Sequence, residues 1–177
     1  MGFFDCELTG RSFKKFGRSV AVRSDINSLK RELAIAKKVV ILGIGNELYH
    51  TDSPGLLVAE EIRKRDSSGK YQVFLAGTAP ENLTGKIREL SPSYVIFIDA
   101  ADLGKAPGSI EIIEKERIAR LTPSTHNLPL TLLADYLTKE TGCKVIMLGI
   151  EPENNPNGKG SSGRRAIKKL VALFCQG

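Results

Sequence analysis

Three polar residues, Asp52, Asp99 and His126, stand at or just after the ends of apolar runs. Two carboxylates and an imidazole are a suitable ligand set for a divalent metal ion. A carboxylate at such a site can also take up or release a proton during hydrolysis. Apolar runs of this kind are typical of buried strands, so residues far apart in the sequence can meet at one edge of a sheet. These three residues are therefore the candidate site.

The elements that must position these residues follow from the hydrophobic pattern. Three runs are apolar nearly throughout, which is typical of strands covered on both faces: residues 39–45, 94–99 and 144–150. Residues 71–76 are predicted as a further strand. Residues 109–114 largely alternate between apolar and polar, which predicts an edge strand that can run antiparallel. The sequence therefore predicts about five strands.

Helices are predicted between these strands from capping residues and from periodic apolar positions. The first begins at Ser24 or Asp25, the second at Ser53 and Pro54, and the others cover residues 81–90, 127–139 and 165–174. Strands alternating with helices predict an α/β three-layer sandwich, with a mainly parallel, twisted sheet and helices on both faces. Ligands of such folds bind outside the carboxyl ends of the strands, which is where Asp52 and Asp99 fall.

Each candidate also has a structural interpretation. Asp52 precedes the second helix and would favour its positive end. Asp99 ends an apolar strand, where a carboxylate is costly to desolvate unless a metal, a cation or backbone donors hold it, so a functional role is favoured. His126 alone would suit a capping or core position, and the two aspartates favour a ligand role. His50 is interpreted as a solvated loop residue or an additional ligand, and Asp102 as a turn residue.

Length and composition fit a single folded domain. The chain has 177 residues, of which 41% are hydrophobic and 26% charged, and no apolar stretch approaches the length of a membrane span. We predict a domain over residues 39–177, preceded by a basic extension over residues 1–38 that contains a helix. The N-terminus lacks the pattern of a secretory signal, so we expect a cytoplasmic monomer that does not insert into the membrane.

The formal net charge of +6 is concentrated at the two ends. Residues 1–38 hold nine basic and four acidic residues, and residues 159–177 hold five basic and no acidic ones. Few aromatic residues are interleaved with these charges and no nucleic-acid module is recognisable, so we interpret them as solvated helix faces rather than a nucleic-acid interface. The three cysteines, at 6, 143 and 175, form no Cys-x-x-Cys pair and are expected to be reduced. Cys143 is expected to be a small buried residue without a catalytic role.

A dinucleotide-binding enzyme is disfavoured. Residues 43–48 begin with Gly43 and Gly45, but Leu48 stands where the fingerprint has its third glycine. The acidic residue expected at the end of the second strand is also missing, because Gly77 and Thr78 follow that strand.

Five segments, taken in order, resemble the hydrogenase maturation proteases, and in detail the branch that processes formate-hydrogenlyase-type and energy-converting hydrogenases. They are Gly45-Asn46 with Asp52 and Gly55, then Gly77-Thr78-Ala79-Pro80-Glu81-Asn82, then residues 98–104 with Pro107-Gly108, then Thr125-His126-Asn127-Leu128-Pro129-Leu130, and finally Leu148-Gly149-Ile150-Glu151-Pro152. The family usually has Asp-Asp-Gly or Asp-Glu-Gly before its helix, whereas this chain has Thr51-Asp52-Ser53.

The resemblance implies an endopeptidase that removes the C-terminal extension of a nickel-iron hydrogenase large-subunit precursor after nickel insertion. It implies that Asp52, Asp99 and His126 bind metal, with Asp52 or Asp99 as the catalytic base. The nickel would be carried by the precursor and would serve as the recognition signal. Zinc, cadmium or another divalent ion would be able to occupy the same residues in purified protein.

Three alternatives remain at this point. The chain could be a non-catalytic checkpoint or chaperone that binds the nickel site of the precursor through the same residues. It could be a metal-independent aspartic peptidase in which Asp52 and Asp99 share a proton. A nucleotide-binding module is the third.

Overall fold

The computed structural model describes residues 25–46, 48, 53–121, 129–153 and 161–175. The strands are β1 Val39–Ile44, β2 Tyr71–Gly77, β3 Tyr94–Ala100, β4 Ile110–Ile113 and β5 Lys144–Ile150. The α-helices are α1 Ile26–Ile35, α2 Pro54–Arg65, α3 Thr84–Leu90, α4 Lys115–Leu121, α5 Leu130–Thr141 and α6 Ser161–Phe174, and a 3₁₀ helix covers Pro80–Leu83.

The five strands form one sheet in the order β2-β1-β3-β5-β4. The pairs β1–β2, β1–β3 and β3–β5 are parallel, and the edge strand β4 runs antiparallel to β5. The predicted α/β class, the mainly parallel sheet and the antiparallel edge strand are therefore confirmed.

Successive strand residues point to opposite faces of the sheet. Because both faces carry apolar side chains, helices cover both. Val39 and Ile41 of β1 pack in a core cluster with α1, α2 and α6, whereas Val40 and Leu42 pack in a second cluster with α3, α4 and α5. All four side chains are fully buried. This burial on both faces explains the continuous apolar runs and completes the predicted three-layer arrangement.

The first two helices begin as predicted. The side chain of Asp25 accepts a hydrogen bond from the backbone N–H of Ser28 at 2.6 Å, which caps α1. Ser53 precedes α2, and Pro54 occupies its first position. Within residues 1–38, α1 contributes Leu29 and Leu33 to the core, and the domain boundary at residue 38 stays a prediction.

Four helices differ from the prediction. The helix expected over residues 81–90 is a 3₁₀ turn followed by α3. The helix expected from Asn127 begins at Leu130, after Pro129 at the capping position, while Asn127 itself lies outside the described residues. Helix α4 was not predicted. Helix α6, predicted over residues 165–174, begins earlier, at Ser161. Within the described ranges, no helix is both long enough and apolar enough to span a membrane.

Candidate active site

Asp99 is a fully buried carboxylate at the carboxyl end of the central strand β3. Its Oδ1 accepts a hydrogen bond from the backbone N–H of Ala100 at 2.8 Å. In the register of the sheet it lies beside Gly149 of β5. A charged group in this position is costly unless other groups compensate it, which makes Asp99 a candidate functional residue.

β1 and β3 are neighbours, but the chain leaves them in opposite directions. From β1 it runs through α2 to β2 on one side, and from β3 it runs to β4 and β5 on the other. Open α/β sheets bind their ligands at such a switch point, outside the carboxyl ends of the strands. Asp99 lies at this point.

Helix α2 approaches the switch point unusually closely because of two glycines. A Cβ atom on Gly55 would lie 2.8 Å from the carbonyl carbon of Ile98, and closer still to the carbonyl oxygens of Ile98 and Ile44. A Cβ atom on Gly43 would lie 2.9 Å from the carbonyl oxygen of Gly55. Only glycine therefore allows the first turn of α2 to rest on the ends of both strands, one residue before Asp99.

Of the predicted site residues, Asp99 lies where the sequence predicts it, at the carboxyl edge. Asp52, His126 and His50 lie outside the described residues. No group of three potential metal-ligating side chains comes together within the part of the chain that the structure describes. The assignment of Asp52 and His126 to the site therefore stays a prediction.

The described neighbours of these segments lie close to the carboxyl edge. Ser53, which follows Asp52 in the sequence, is buried at the start of α2. Leu121, the last described residue before His126, accepts a hydrogen bond through its carbonyl oxygen from the backbone N–H of Asp102 at 2.8 Å. Asp102 is exposed, and its Oδ1 accepts from the backbone N–H of Gly104 at 3.3 Å, which is the predicted turn role.

A second buried carboxylate, Glu151, was not predicted as a functional residue. It follows β5 and is 5% exposed. Its Oε2 accepts hydrogen bonds from the backbone N–H groups of Leu103 at 2.7 Å and Lys105 at 3.1 Å. Glu151 therefore fixes the loop that follows Asp99. The available signal was the same as for Asp99, an acidic residue directly after an apolar strand.

The same loop is tied to β4 by an ion pair. Lys105 Nζ donates to Glu111 Oε2 at 2.7 Å, and Arg117 also donates to the Glu111 carboxylate. Hydrogen bonds from Lys105 and then Arg117 hold the pKa of Glu111 below its ordinary value, against a smaller opposing effect of burial. The loop after β3 is thus fastened to both β4 and β5.

The sequence identifies the family to which this arrangement belongs. The family model for HycI, described as hydrogenase maturation protease, matches residues 56–176. The chain belongs to this family. It is a peptidase, a hydrolase that acts on peptide bonds.

Relatives of known sequence and structure agree with this assignment. The chain is 41% identical to the hydrogenase 3 maturation protease of Escherichia coli K12 over 115 residues, which is 64% of this chain and 72% of the relative. The crystal structure of the HycI protease from Thermococcus kodakarensis KOD1 superposes with a TM-score of 0.72 at 28% identity, covering 85% of this chain and 99% of the other. A crystal structure of hydrogenase 3 maturation protease gives a TM-score of 0.64 at 33% identity over 79% and 92% of the two chains.

A thiol nucleophile at Cys143 does not suit this protease. Cys143 is 2% exposed and lies at the amino end of β5, opposite the edge that carries Asp99. Burial raises the pKa of its thiol above the ordinary value, which disfavours the reactive thiolate. The geometry agrees with the expectation that Cys143 is non-catalytic.

Proposed function

We propose that this protease removes a C-terminal extension from the large-subunit precursor of a nickel-iron hydrogenase after nickel insertion. The nickel carried by the precursor is the recognition signal. Membership of the maturation protease family supports the general activity. The observation that carries the proposed site is the fully buried Asp99 at the switch point of the sheet.

In this proposal Asp52, Asp99 and His126 bind the nickel of the precursor or a neighbouring divalent ion. Two carboxylate oxygens and an imidazole nitrogen suit nickel, and they also suit zinc. Zinc or cadmium would therefore be able to occupy these residues in purified protein. Support comes from the position of Asp99 and from the described neighbours of the other two, Ser53 and Leu121, near the same edge.

These residues hold one peptide bond of the precursor beside a water molecule. A bound metal ion supplies polarisation of the scissile carbonyl or of the attacking water. Fixed geometry of the reactants lowers the barrier by several kcal/mol on its own. Asp52 or Asp99 takes the proton from the attacking water and returns a proton to the amine that leaves. The hydrogen bond from Ala100 fixes one oxygen of Asp99, so its carboxylate has a defined orientation for this task.

The test compares the wild type with Asp99→Asn, using nickel-loaded and nickel-free precursor from the same organism and following the precursor mass. Asparagine keeps the shape of the side chain and an acceptor for the Ala100 N–H. Asp102→Asn is the matched control, because Asp102 is an exposed carboxylate three residues away. We expect the wild type and the Asp102→Asn control to remove the extension from nickel-loaded precursor only, and Asp99→Asn to remove it from neither precursor. The unfolding temperatures of all three proteins should be similar.

Other outcomes would replace this proposal with a named alternative. If the nickel-loaded precursor binds but is never cut, the chain acts as a checkpoint or chaperone. If cleavage is indifferent to nickel and to chelators but is lost in both Asp52→Asn and Asp99→Asn, the two carboxylates act as a metal-independent aspartic pair.

A further inference from the structure

Glu81 carries a buried carboxylate oxygen that the proposed mechanism does not use. Its Oε2 is fully buried and makes no hydrogen bond with any described residue. Buried polar atoms in folded proteins almost always have a partner, and an unpaired charged oxygen is especially costly. A group that binds during function would supply the missing partner.

The backbone around Glu81 is fixed before any ligand arrives. Pro80 is buried at the start of the 3₁₀ helix, and Leu83 packs against one core cluster. The hydroxyl of Thr84 donates to the backbone carbonyl of Glu81 at 2.9 Å, and the N–H of Asn82 donates to the carbonyl of Ala79 at 3.2 Å. The backbone that carries the acidic group is therefore rigid. Glu81 as a whole is only partly buried, so a rotation of its side chain, without movement of the backbone, presents Oε2 to a ligand.

This segment belongs to the same edge of the sheet as Asp99. The 3₁₀ helix follows the carboxyl end of β2, where the backbone N–H of Gly45 donates to the carbonyl of Gly77 at 3.1 Å. β2 and β3 flank β1, so their ends are separated by two strand spacings, roughly 10 Å. An extended peptide covers that distance in about three residues.

The chemistry of the missing partner follows from the charge. Among the described residues no lysine or arginine forms an ion pair with Glu81, and Arg88 of the following helix α3 pairs with Glu140. A carboxylate oxygen accepts hydrogen bonds most strongly from a guanidinium or ammonium group. The substrate of a peptidase is itself a polypeptide that can supply such a group.

We propose that Glu81 determines specificity by binding an arginine or lysine side chain of the precursor, about three residues from the scissile bond. This inference rests on the proposed function. Glu81 acts on binding of the precursor, whereas the Asp99 site acts on the bond that is cut.

The test measures cleavage of nickel-loaded precursor by the wild type and by Glu81→Gln, with Glu89→Gln, an exposed carboxylate of α3, as the matched control. We expect Glu81→Gln to lower kcat/KM by about tenfold to a hundredfold through KM, because a charge-assisted hydrogen bond is lost. The unfolding temperature should stay the same or rise, because a buried charge is removed. The control should cleave like the wild type.

The partner is found by changing each lysine and arginine within about five residues of the cleaved bond to glutamine, one at a time. For one of these changed precursors, kcat/KM of the wild-type enzyme should fall by the same factor that Glu81→Gln causes with the unchanged precursor. Glu81→Gln should cleave the changed and the unchanged precursor with the same kcat/KM, which is the signature of a direct pair. Glu81→Asp, which keeps the charge on a shorter side chain, provides a second variant if Glu81→Gln folds poorly, and it should show an intermediate KM.

Two results would overturn the inference. One is an unchanged kcat/KM in Glu81→Gln. The other is that, for every basic residue of the precursor, the loss of kcat/KM from changing that residue is the same with Glu81→Gln as with the wild type. A wild type that cleaves no precursor would instead refute the proposed function, so the two failures can be told apart.

Discussion

Replacing Gly55 with alanine should separate α2 from the strands that carry the site. The added Cβ would lie 2.8 Å from the carbonyl carbon of Ile98 and closer to two carbonyl oxygens, whereas carbon atoms in contact are normally about 3.5–4.0 Å apart. The first turn of α2 must therefore retreat by about 1 Å. Val58, Ala59 and Ile62 of the same helix are fully buried, so the retreat also disturbs packing further along α2.

The expected cost can be worked out from these contacts. Overpacking costs about 1–3 kcal/mol, and the upper end applies because the opposing atoms are backbone atoms of two central strands, which have no alternative rotamer. The better helix propensity of alanine returns up to about 1 kcal/mol. A net loss near 2 kcal/mol in the free energy of unfolding should lower the unfolding temperature by roughly 4–8 °C for a chain of this size.

Gly85→Ala is the matched control. Gly85 is also the second residue of its helix, α3, and a Cβ atom there meets nothing within 4 Å. The same substitution should therefore leave stability unchanged or raise it by up to about 1 kcal/mol. Urea and thermal unfolding, followed by circular dichroism, measure both variants.

Activity provides a second measurement on the same pair of variants. A displacement of about 1 Å between groups that hold a substrate can cost about a hundredfold in rate, so Gly55→Ala should lose that factor in kcat/KM well below its unfolding temperature. Wild-type stability and activity in Gly55→Ala would refute the reasoning, because α2 would then be able to move away from Ile98 at no cost.

Two further predictions concern the loop that follows Asp99. Glu151→Ala should lower the free energy of unfolding, measured in urea, by about 2 kcal/mol or more, since two backbone N–H groups lose a buried acceptor. Glu151→Gln should lower it less because glutamine keeps a carbonyl oxygen. Equal losses of stability in the two variants would contradict this role of Glu151. Lys105 and Arg117 lower the pKa of Glu111 from its ordinary 4.5. The ionised Glu111 therefore stabilises the fold above that pH, and this stabilisation is lost as the pH falls through the pKa that Glu111 has in the folded protein. Glu111→Gln should therefore flatten the pH dependence of unfolding below about pH 4.5, and an unchanged pH profile would exclude Glu111 as a contributor.

The strands could be predicted because burial leaves a direct mark on the sequence. β1, β3 and β5 are covered on both faces, so their residues are apolar nearly throughout. The edge strand β4 alternates only over Ile110, Glu111 and Ile112, and Ile113 breaks the pattern. Helix α4 was missed because it has only seven residues, and two apolar positions, Ile118 and Leu121, are too few to define a period. The late start of α5 has a similarly local cause, because Pro129 takes the capping position.

The site was only partly predictable for a different reason. Asp99 could be recognised because a carboxylate at the end of an apolar strand is unusual in any context. The role of Glu151 depends on Leu103 and Lys105, which reach it from far along the sequence. The unpaired oxygen of Glu81 is likewise a property of the folded chain, and no residue pattern encodes it.

The place of β5 in the sheet also determines when, during synthesis, the chain can become active. β4 is translated before β5, yet its sheet partner in the described structure is β5. β5 also pairs with the side of β3 that does not face β1. The loop after Asp99 is fastened to Ile150 and Glu151, at the end of β5. A nascent chain on the ribosome therefore has an open sheet and an unfastened loop until Glu151 has emerged, because these pairings join residues that are distant in the sequence. Proteolytic competence is in this way postponed until β5 and Glu151 have left the ribosome.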